Sequence, residues 1–235
     1  MSSNTQNQSA YRRWRLAALS EGPQAERDLL GSREVETFGI LVGLFNGNDD
    51  LLRQAGLRIL DLGCGDEHLR NAAERVGWLY RGIDVDECNL DSDPIPEDDD
   101  SVELVVSLAV LEHLSNPVHF LTEIKRVLRP GGVVIISTPN WRYCVRSFWN
   151  DPTHVKPYTV KSLGVVAEMS GLNRAVVYPG LRCKPPSRYQ GRTAFWRARW
   201  LLPFRGDQRW APGFLRGRST SLFLIATKTQ ETDVL

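Results

Sequence analysis

Apolar residues fall along this chain in blocks of two kinds. Compact apolar runs at 58–62, 79–84, 102–107, 132–138, 174–179 and 221–227 have the length and composition of buried strands. Stretches near 68–76, 117–128 and 159–170 place apolar residues at helical spacing, and Gly171 follows the last of them as a stop signal. Strands alternating with helices predict an α/β fold with a mostly parallel sheet covered on both faces. Upstream, 11–19 and 23–45 read as two more helices, the second opening on Pro23 and ending near Asn46-Gly47-Asn48. This N-terminal helical extension, 1–56, is expected either to cap a cleft or to pack on the sheet. The pattern breaks between Asp84 and Pro94. That interval is too short for a crossover helix, which with its loops takes ~10–12 residues, so it is read as a short third strand with the next helix shortened or missing.

The chemistry concentrates where the first strand ends. Asp61-Leu62-Gly63-Cys64-Gly65-Asp66-Glu67-His68-Leu69 carries an acid into a turn whose glycines permit positive φ and close ligand approach. Asp84, followed by Val85, ends the next apolar segment, where open α/β sheets place a carboxylate for ribose hydroxyls. A dinucleotide loop needs a third glycine, but His68 stands there, and Asp61, Asp66 and Glu67 would repel a pyrophosphate. A cationic nucleoside such as S-adenosylmethionine suits an acidic turn. An NAD-dependent oxidoreductase is disfavoured on the same grounds.

Two downstream segments join this loop: 102–114, containing Val110-Leu111-Glu112-His113-Leu114, and 127–138, containing Leu128-Arg129-Pro130-Gly131-Gly132. In this order and spacing the three resemble class I S-adenosylmethionine-dependent methyltransferases over roughly residues 55–172. The resemblance implies a Rossmann-like, doubly wound sheet of seven strands with an antiparallel last strand, in a methyltransferase domain spanning 57–235. It also implies that Asp61, Gly63, Cys64 and Gly65 hold the methionyl part and Asp84 with Val85 the ribose. Asp91 lies toward the adenine, and Ser107 and Leu108 line the cofactor with backbone groups. Asp151-Pro152-Thr153-His154-Val155, continuing to Pro157-Tyr158-Thr159, resembles a motif of bacterial methyltransferases associated with surface-polysaccharide assembly. O-methylation of a saccharide or lipid-linked glycan precursor is the expected reaction. A small-molecule or quinone-type acceptor is the alternative, and a non-catalytic cofactor-binding protein a remoter one. A hydroxyl acceptor must lose a proton, so His154 and His113 are candidate bases. Each also has a structural reading, His154 as a turn-holder and His113 as a helix cap.

Composition narrows the class. The 235 residues hold 42% apolar and 24% charged side chains and a formal net charge of +1, enough for a full core. No apolar run approaches the ~20 residues of a membrane span, and the polar start 1–8 lacks a secretion signal. A cytoplasmic location is therefore expected. Cys64, Cys88, Cys144 and Cys183 show no metal spacing, and no metal is expected. Charge is segregated: every charged residue from Asp84 to Glu103 is acidic and is read as a solvated face. From Arg182 to Arg218 only Asp207 opposes ten basic residues, and aromatics are interleaved with them. This insert, 181–218, sits before the last strand. Its stretch 191–218 suits a peripheral membrane contact, nucleic-acid stacking being less expected, or a helix packed on the sheet.

Overall fold

The computed structural model describes residues 24–46, 50–172, 174–179, 203–205 and 216–229. The expected helix at 11–19 and most of the 181–218 insert, including its aromatic and basic stretch 191–202, lie outside the described residues. Five strands form in order along the chain: β1 (Arg58–Leu62), β2 (Leu79–Ile83), β3 (Val102–Leu108), β4 (Leu128–Pro139) and β5 (Val176–Pro179). Two short ones follow, β6 (Phe204–Arg205) and β7 (Arg216–Arg218), paired only with each other, and then β8 (Ser221–Thr227). The main sheet has the order β2-β1-β3-β4-β8-β5. β1 to β4 pair in parallel, and β8 runs antiparallel to both β4 and β5.

Alternation along the strands sorts their side chains into two cores. Leu60, Leu62, Val105, Val134, Ile136 and Leu224 face one side. There α3 (Pro117–Val127) supplies Phe120, Leu121 and Ile124, and α5 (Val160–Met169) supplies Leu163 and Ala167, numbering the helices α1 (Gln24–Asn46), α2 (Arg70–Arg75), α3, α4 (Trp141–Cys144) and α5. Ile59, Leu104, Val106, Ile135 and Ile225 face the other side, covered by Phe38, Leu41 and Val42 of α1 and Ala73 of α2. α1 is thus a packing helix on the sheet face. Its first turns also reach α2: Asp28 accepts from Asn71 and Arg75. A Cβ on Gly31 would stand 2.2 Å from the His68 carbonyl oxygen.

Local signals explain the helix ends. Asn116 caps α3 ahead of Pro117, and Thr159 with Ser162 forms a reciprocal capping box on α5. Gly171, at φ 79°, follows α5. The Leu128-Arg129-Pro130-Gly131-Gly132 segment lies inside β4 as an irregularity: Val102 pairs with Leu128 and Leu104 with Val133, leaving the intervening residues looped out.

The expected seventh strand is not among the described residues. Where a third strand was anticipated, before Leu90, the chain runs in turns: Glu87 and Cys88 N–H groups donate to the Asp84 carbonyl, and Asp93 N–H to Asn89. With neither strand nor helix, the crossover from β2 to β3 is held by side chains. Cys88, Leu90 and Ile95 are buried beneath it, and Arg126 of α3 donates to the Glu97 and Ile95 carbonyls and to Asp99 and Glu123. The acidic run is therefore partly ion-paired rather than only a solvated face. Arg58 also meets Glu97, and Lys228 meets Asp100.

Arg126→Ala is expected to lower stability by roughly 2–3 kcal/mol, the scale of hydrogen bonds to charged groups, as read by urea unfolding at pH 7. Arg126→Lys recovers only part, because an ammonium lacks the planar fork. Arg126 is the chief cause holding the Glu123 carboxyl below its ordinary range. The penalty should therefore be present at neutral pH and shrink as acid protonates Glu123. An unchanged urea midpoint would mean that apolar burial alone holds the crossover.

Candidate active site

Parallel strands β1 and β2 end side by side, and the loop after β1 folds over the end of β2. The Gly63 N–H donates to the Ile83 carbonyl at 2.7 Å, and the Gly65 N–H to Asp84 Oδ2 at 2.7 Å. Asp84 Oδ1 accepts the Val85 N–H at 2.6 Å. Asp84 thus holds the loop through both carboxylate oxygens. Gly63 is required twice, by φ of 75° and by proximity: a Cβ there would stand 2.3 Å from Val110 Cγ2. Cys64 is buried, its sulfur filling the space that Gly82 leaves open. Glu67 holds φ 54° and pairs through both oxygens with Arg70, whose guanidinium covers the Tyr80 ring.

Asp61 is only 2% exposed. Its Oδ2 accepts the Tyr80 hydroxyl at 2.8 Å. Burial, and then the nearby Asp84, Glu67 and Asp66 carboxylates, push its carboxyl up to about 7 against the pull of the Tyr80 hydrogen bond. Burial and the Asp61 charge likewise raise the Tyr80 phenol, which stays a donor. A buried acid with a raised pKa beside other acids is a place where a cation is stabilised. Such a group fits the ammonium and sulfonium of S-adenosylmethionine and repels phosphate.

The second half of the site is one short turn away. Leu111–His113 forms a 3-10 turn in which the His113 N–H donates to the Val110 carbonyl. Val110 touches the glycine loop at one end, and His113 stands at the other. The His113 and His154 rings lie 4.8 Å apart. His113 Nδ1 faces the Thr153 carbonyl at 3.2 Å and the Thr153 hydroxyl at 2.8 Å, and that hydroxyl donates to Asp151 at 2.6 Å. His154 Nδ1 lies 2.6 Å from the Phe148 carbonyl, and its ring packs 4.3 Å from the Phe148 ring. Trp141, Phe148 and Trp149 meet edge to face beside them, with Trp149 56% exposed. Backbone contacts also tie down the 151–158 segment: the Glu112 carbonyl accepts the Val155 and Lys156 N–H groups, and the Tyr158 carbonyl accepts the Trp141 N–H.

The structure therefore gathers Asp61, Gly63, Cys64, Gly65, Asp84 and Val85 at the two strand tips, and His113 with His154 in a neighbouring cluster. Ser107 is fully buried, its hydroxyl donating to the Leu62 carbonyl, so its side chain braces β3 against the loop. Leu108 is partly exposed at the end of β3, followed by Ala109 at φ 58°. The Asp91 carboxylate accepts the Asn116 N–H at the start of α3. His119, read as a helix-surface residue, faces the Asp93 carbonyl. No role was expected of Tyr80, Glu112 or Tyr158. The signal for Tyr80 was its place in the strand next to Asp61. Glu112 could have been noticed as a charge inside an apolar run: it is 1% exposed, with Oε2 accepting the Thr138 hydroxyl.

Comparison with known proteins agrees with this geometry. Residues 6–176 match the family model of a methyltransferase domain. A Mycolicibacterium smegmatis protein described as a "Probable S-adenosylmethionine-dependent methyltransferase" is 38% identical over 105 residues, 37% of this chain and 40% of that protein. A ubiquinone biosynthesis O-methyltransferase of Maricaulis maris is 31% identical over 105 residues, 36% of this chain and 41% of its own. The chain thus spans about two fifths of the length of these curated relatives. A SAM-dependent methyltransferase from Archaeoglobus fulgidus shares the fold at a TM-score of 0.53 and 18% identity, over 81% of this chain and 99% of that one.

Two expectations follow for Asp61. A bound cation favours the ionised carboxylate, so S-adenosylmethionine affinity should rise with pH up to about 7. Its slope should approach tenfold per pH unit below that point, with proton release visible by calorimetry in buffers of different ionisation heat. Without ligand, the folded chain holds this proton up to about 7 and the unfolded chain only to 3.8, so ionising Asp61 works against the fold as pH rises between those values. Asp61→Asn should therefore melt above the parent at pH 8 while losing the pH-dependent part of binding; a melt at or below the parent would refute the buried-charge account.

For the loop, Gly63→Ala should abolish S-adenosylmethionine binding, and adding Val110→Ala should restore only part of it, because positive φ remains. Full restoration would show that the clash alone matters.

Proposed function

The chain belongs to the methyltransferase domain family, and from that footing we propose that it transfers a methyl group from S-adenosylmethionine to a hydroxyl oxygen of a small acceptor. The observation that carries the reading is the buried, cation-seeking Asp61 one short turn from a pair of oriented histidines. Asp61, Gly63 and Gly65 would hold the methionyl end, with Cys64 filling beneath them, Asp84 and Val85 the ribose, and Leu108 the wall opposite. Ser107 would support that wall from behind, and Asp91 would shape the adenine side through its bond to Asn116. When bound, S-adenosylmethionine supplies a methyl carbon activated by a sulfonium. What the protein adds is alignment, exclusion of water and an acceptor for the hydroxyl proton. His154 and His113 would serve the last task, a reading supported by the orientation of each ring through Nδ1.

The acceptor reading that leads is a hydroxylated ring with an apolar face. It is supported by the wall of Trp141, Phe148 and Trp149 next to His154 and by likeness to proteins named ubiquinone biosynthesis O-methyltransferases. A saccharide or lipid-linked glycan precursor is the second reading, favoured by the 151–159 segment, which builds this corner of the site. Under that reading the basic and aromatic stretch 191–218 would serve a peripheral membrane contact. Among the described residues no helix is long and apolar enough to cross a membrane. We treat 1–56 as a helical extension of the 57–235 domain, with 181–218 as its insert, because every residue assigned chemistry here lies beyond 57.

Methyl transfer from labelled S-adenosylmethionine to a panel of catechols, hydroxyquinols and undecaprenyl-linked sugars tests the assignment. His154→Ala should cut kcat by about 10²–10⁴ with cofactor affinity within twofold of the parent, whereas Asp84→Ala should weaken cofactor binding at least tenfold. Equal loss of both parameters in His154→Ala would make that residue structural.

A further inference from the structure

Glu112 has no part in the reading above, although it carries one of the most enclosed carboxylates in the fold. Enclosing such a charge costs several kcal/mol unless its surroundings compensate. One ligand atom each from Glu112, His113 and His154 lie within 4.8 Å of one another. Both rings are held in one tautomer by their neighbours. The Phe148 carbonyl can only accept, so His154 Nδ1 carries the proton. The Thr153 hydroxyl gives its own proton to Asp151, so it accepts from His113 Nδ1. In the neutral form both lone pairs then reside on Nε2. His154 Nε2 stands 3.9 Å from Asp151 Oδ2, beyond hydrogen-bonding distance. An imidazole fixed through Nδ1 to a carbonyl or hydroxyl, with Nε2 presented, is how proteins hold histidines that bind metals.

A second observation points the same way. The Tyr158 hydroxyl is buried and has no hydrogen-bond partner, and the Glu112 charge acts on it. Buried polar atoms left unsatisfied by the protein mark places where a ligand or its water completes the set.

We propose that Glu112, His113 and His154 form a binding site for a first-row divalent cation of the zinc class. Two imidazoles and one carboxylate are the donor set of catalytic zinc and of non-haem iron(II), whereas magnesium prefers oxygen ligands and its own water. Ligands at ~2.1 Å around tetrahedral zinc sit about 3.4 Å apart, so the three groups close inward on loading. A cation here would occupy the Nε2 lone pairs, so an acceptor hydroxyl would be acidified by the cation and lose its proton to water rather than to a histidine; this part of the inference rests on the methyl-transfer reading above and replaces its histidine base, while the binding site itself depends on neither.

The test uses the full chain, stripped with EDTA and desalted, without S-adenosylmethionine or acceptor. Calorimetric titration with zinc chloride should show one equivalent bound with a dissociation constant in the micromolar range or tighter, and magnesium at least tenfold weaker. Cobalt(II) should give visible d–d absorption saturating at one equivalent. His154→Ala should weaken zinc at least tenfold, and His119→Ala should match the parent. Glu112→Gln, which keeps a partner for the Thr138 hydroxyl, should weaken zinc likewise and serves where His154→Ala disturbs its loop. Absence of stoichiometric uptake by the parent, or parental zinc affinity in both ligand variants, overturns the site. Zinc uptake in a chain that methylates no hydroxyl would leave the site standing and remove the functional reading. EDTA-insensitive methyl transfer without zinc uptake would do the reverse.

Discussion

The site depends on one clamp between two strand tips: the N–H groups of Gly63 and Gly65 held by the end of β2, one by the Ile83 carbonyl and the other by the Asp84 carboxylate. Because β1 and β2 are parallel, their C-terminal ends meet on the same edge of the sheet, and only there can a loop from one be tied to the last residues of the other. The clamp turns the loop back and keeps its glycines at positive φ. It also leaves Asp61 enclosed beneath, with Tyr80 of the neighbouring strand as its donor. Asp84 thereby braces the loop through the Gly65 and Val85 N–H groups.

The histidine cluster is built by a comparable economy of backbone. The Glu112 carbonyl anchors the two-proline segment that carries His154, while the Glu112 side chain turns inward to Thr138 at the end of β4. Position 112 thus ties β4, the 3-10 turn and the 151–158 loop together. Gly63 leaves room for Val110, so the glycine loop and the histidine pair belong to one packed unit. The missing strand and helix after β2 cost the fold a layer at that edge. Arg126 offsets it with hydrogen bonds to two loop carbonyls and two carboxylates.

Much of this was legible in order along the chain. The alternating cores of β1, β3, β4 and β8, the stop at Gly171 and the acid-glycine turn all follow from local patterns, whereas the antiparallel last strand followed from the family resemblance. Those patterns act over a few residues, where side-chain period and backbone freedom dominate. The missing strand was half visible: the interval between Asp84 and Pro94 was seen to be too short for a helix, yet a strand was still expected. Its residues instead satisfy their backbone groups in turns, as with Glu87 and Cys88 on the Asp84 carbonyl. The hydroxyl of Ser107, to which no role had been given, donates to the Leu62 carbonyl.

By itself the sequence determined the class of fold and singled out two strand-tip acids and two histidines, because each is marked by its position relative to a local element. Only the tertiary structure decided what those groups do to one another. That Asp61 is buried enough to hold its proton, that Tyr80 serves it, and that Glu112, His113 and His154 converge from separate segments are consequences of desolvation and distance. Neither quantity exists until the sheet has closed and brought separate segments into contact.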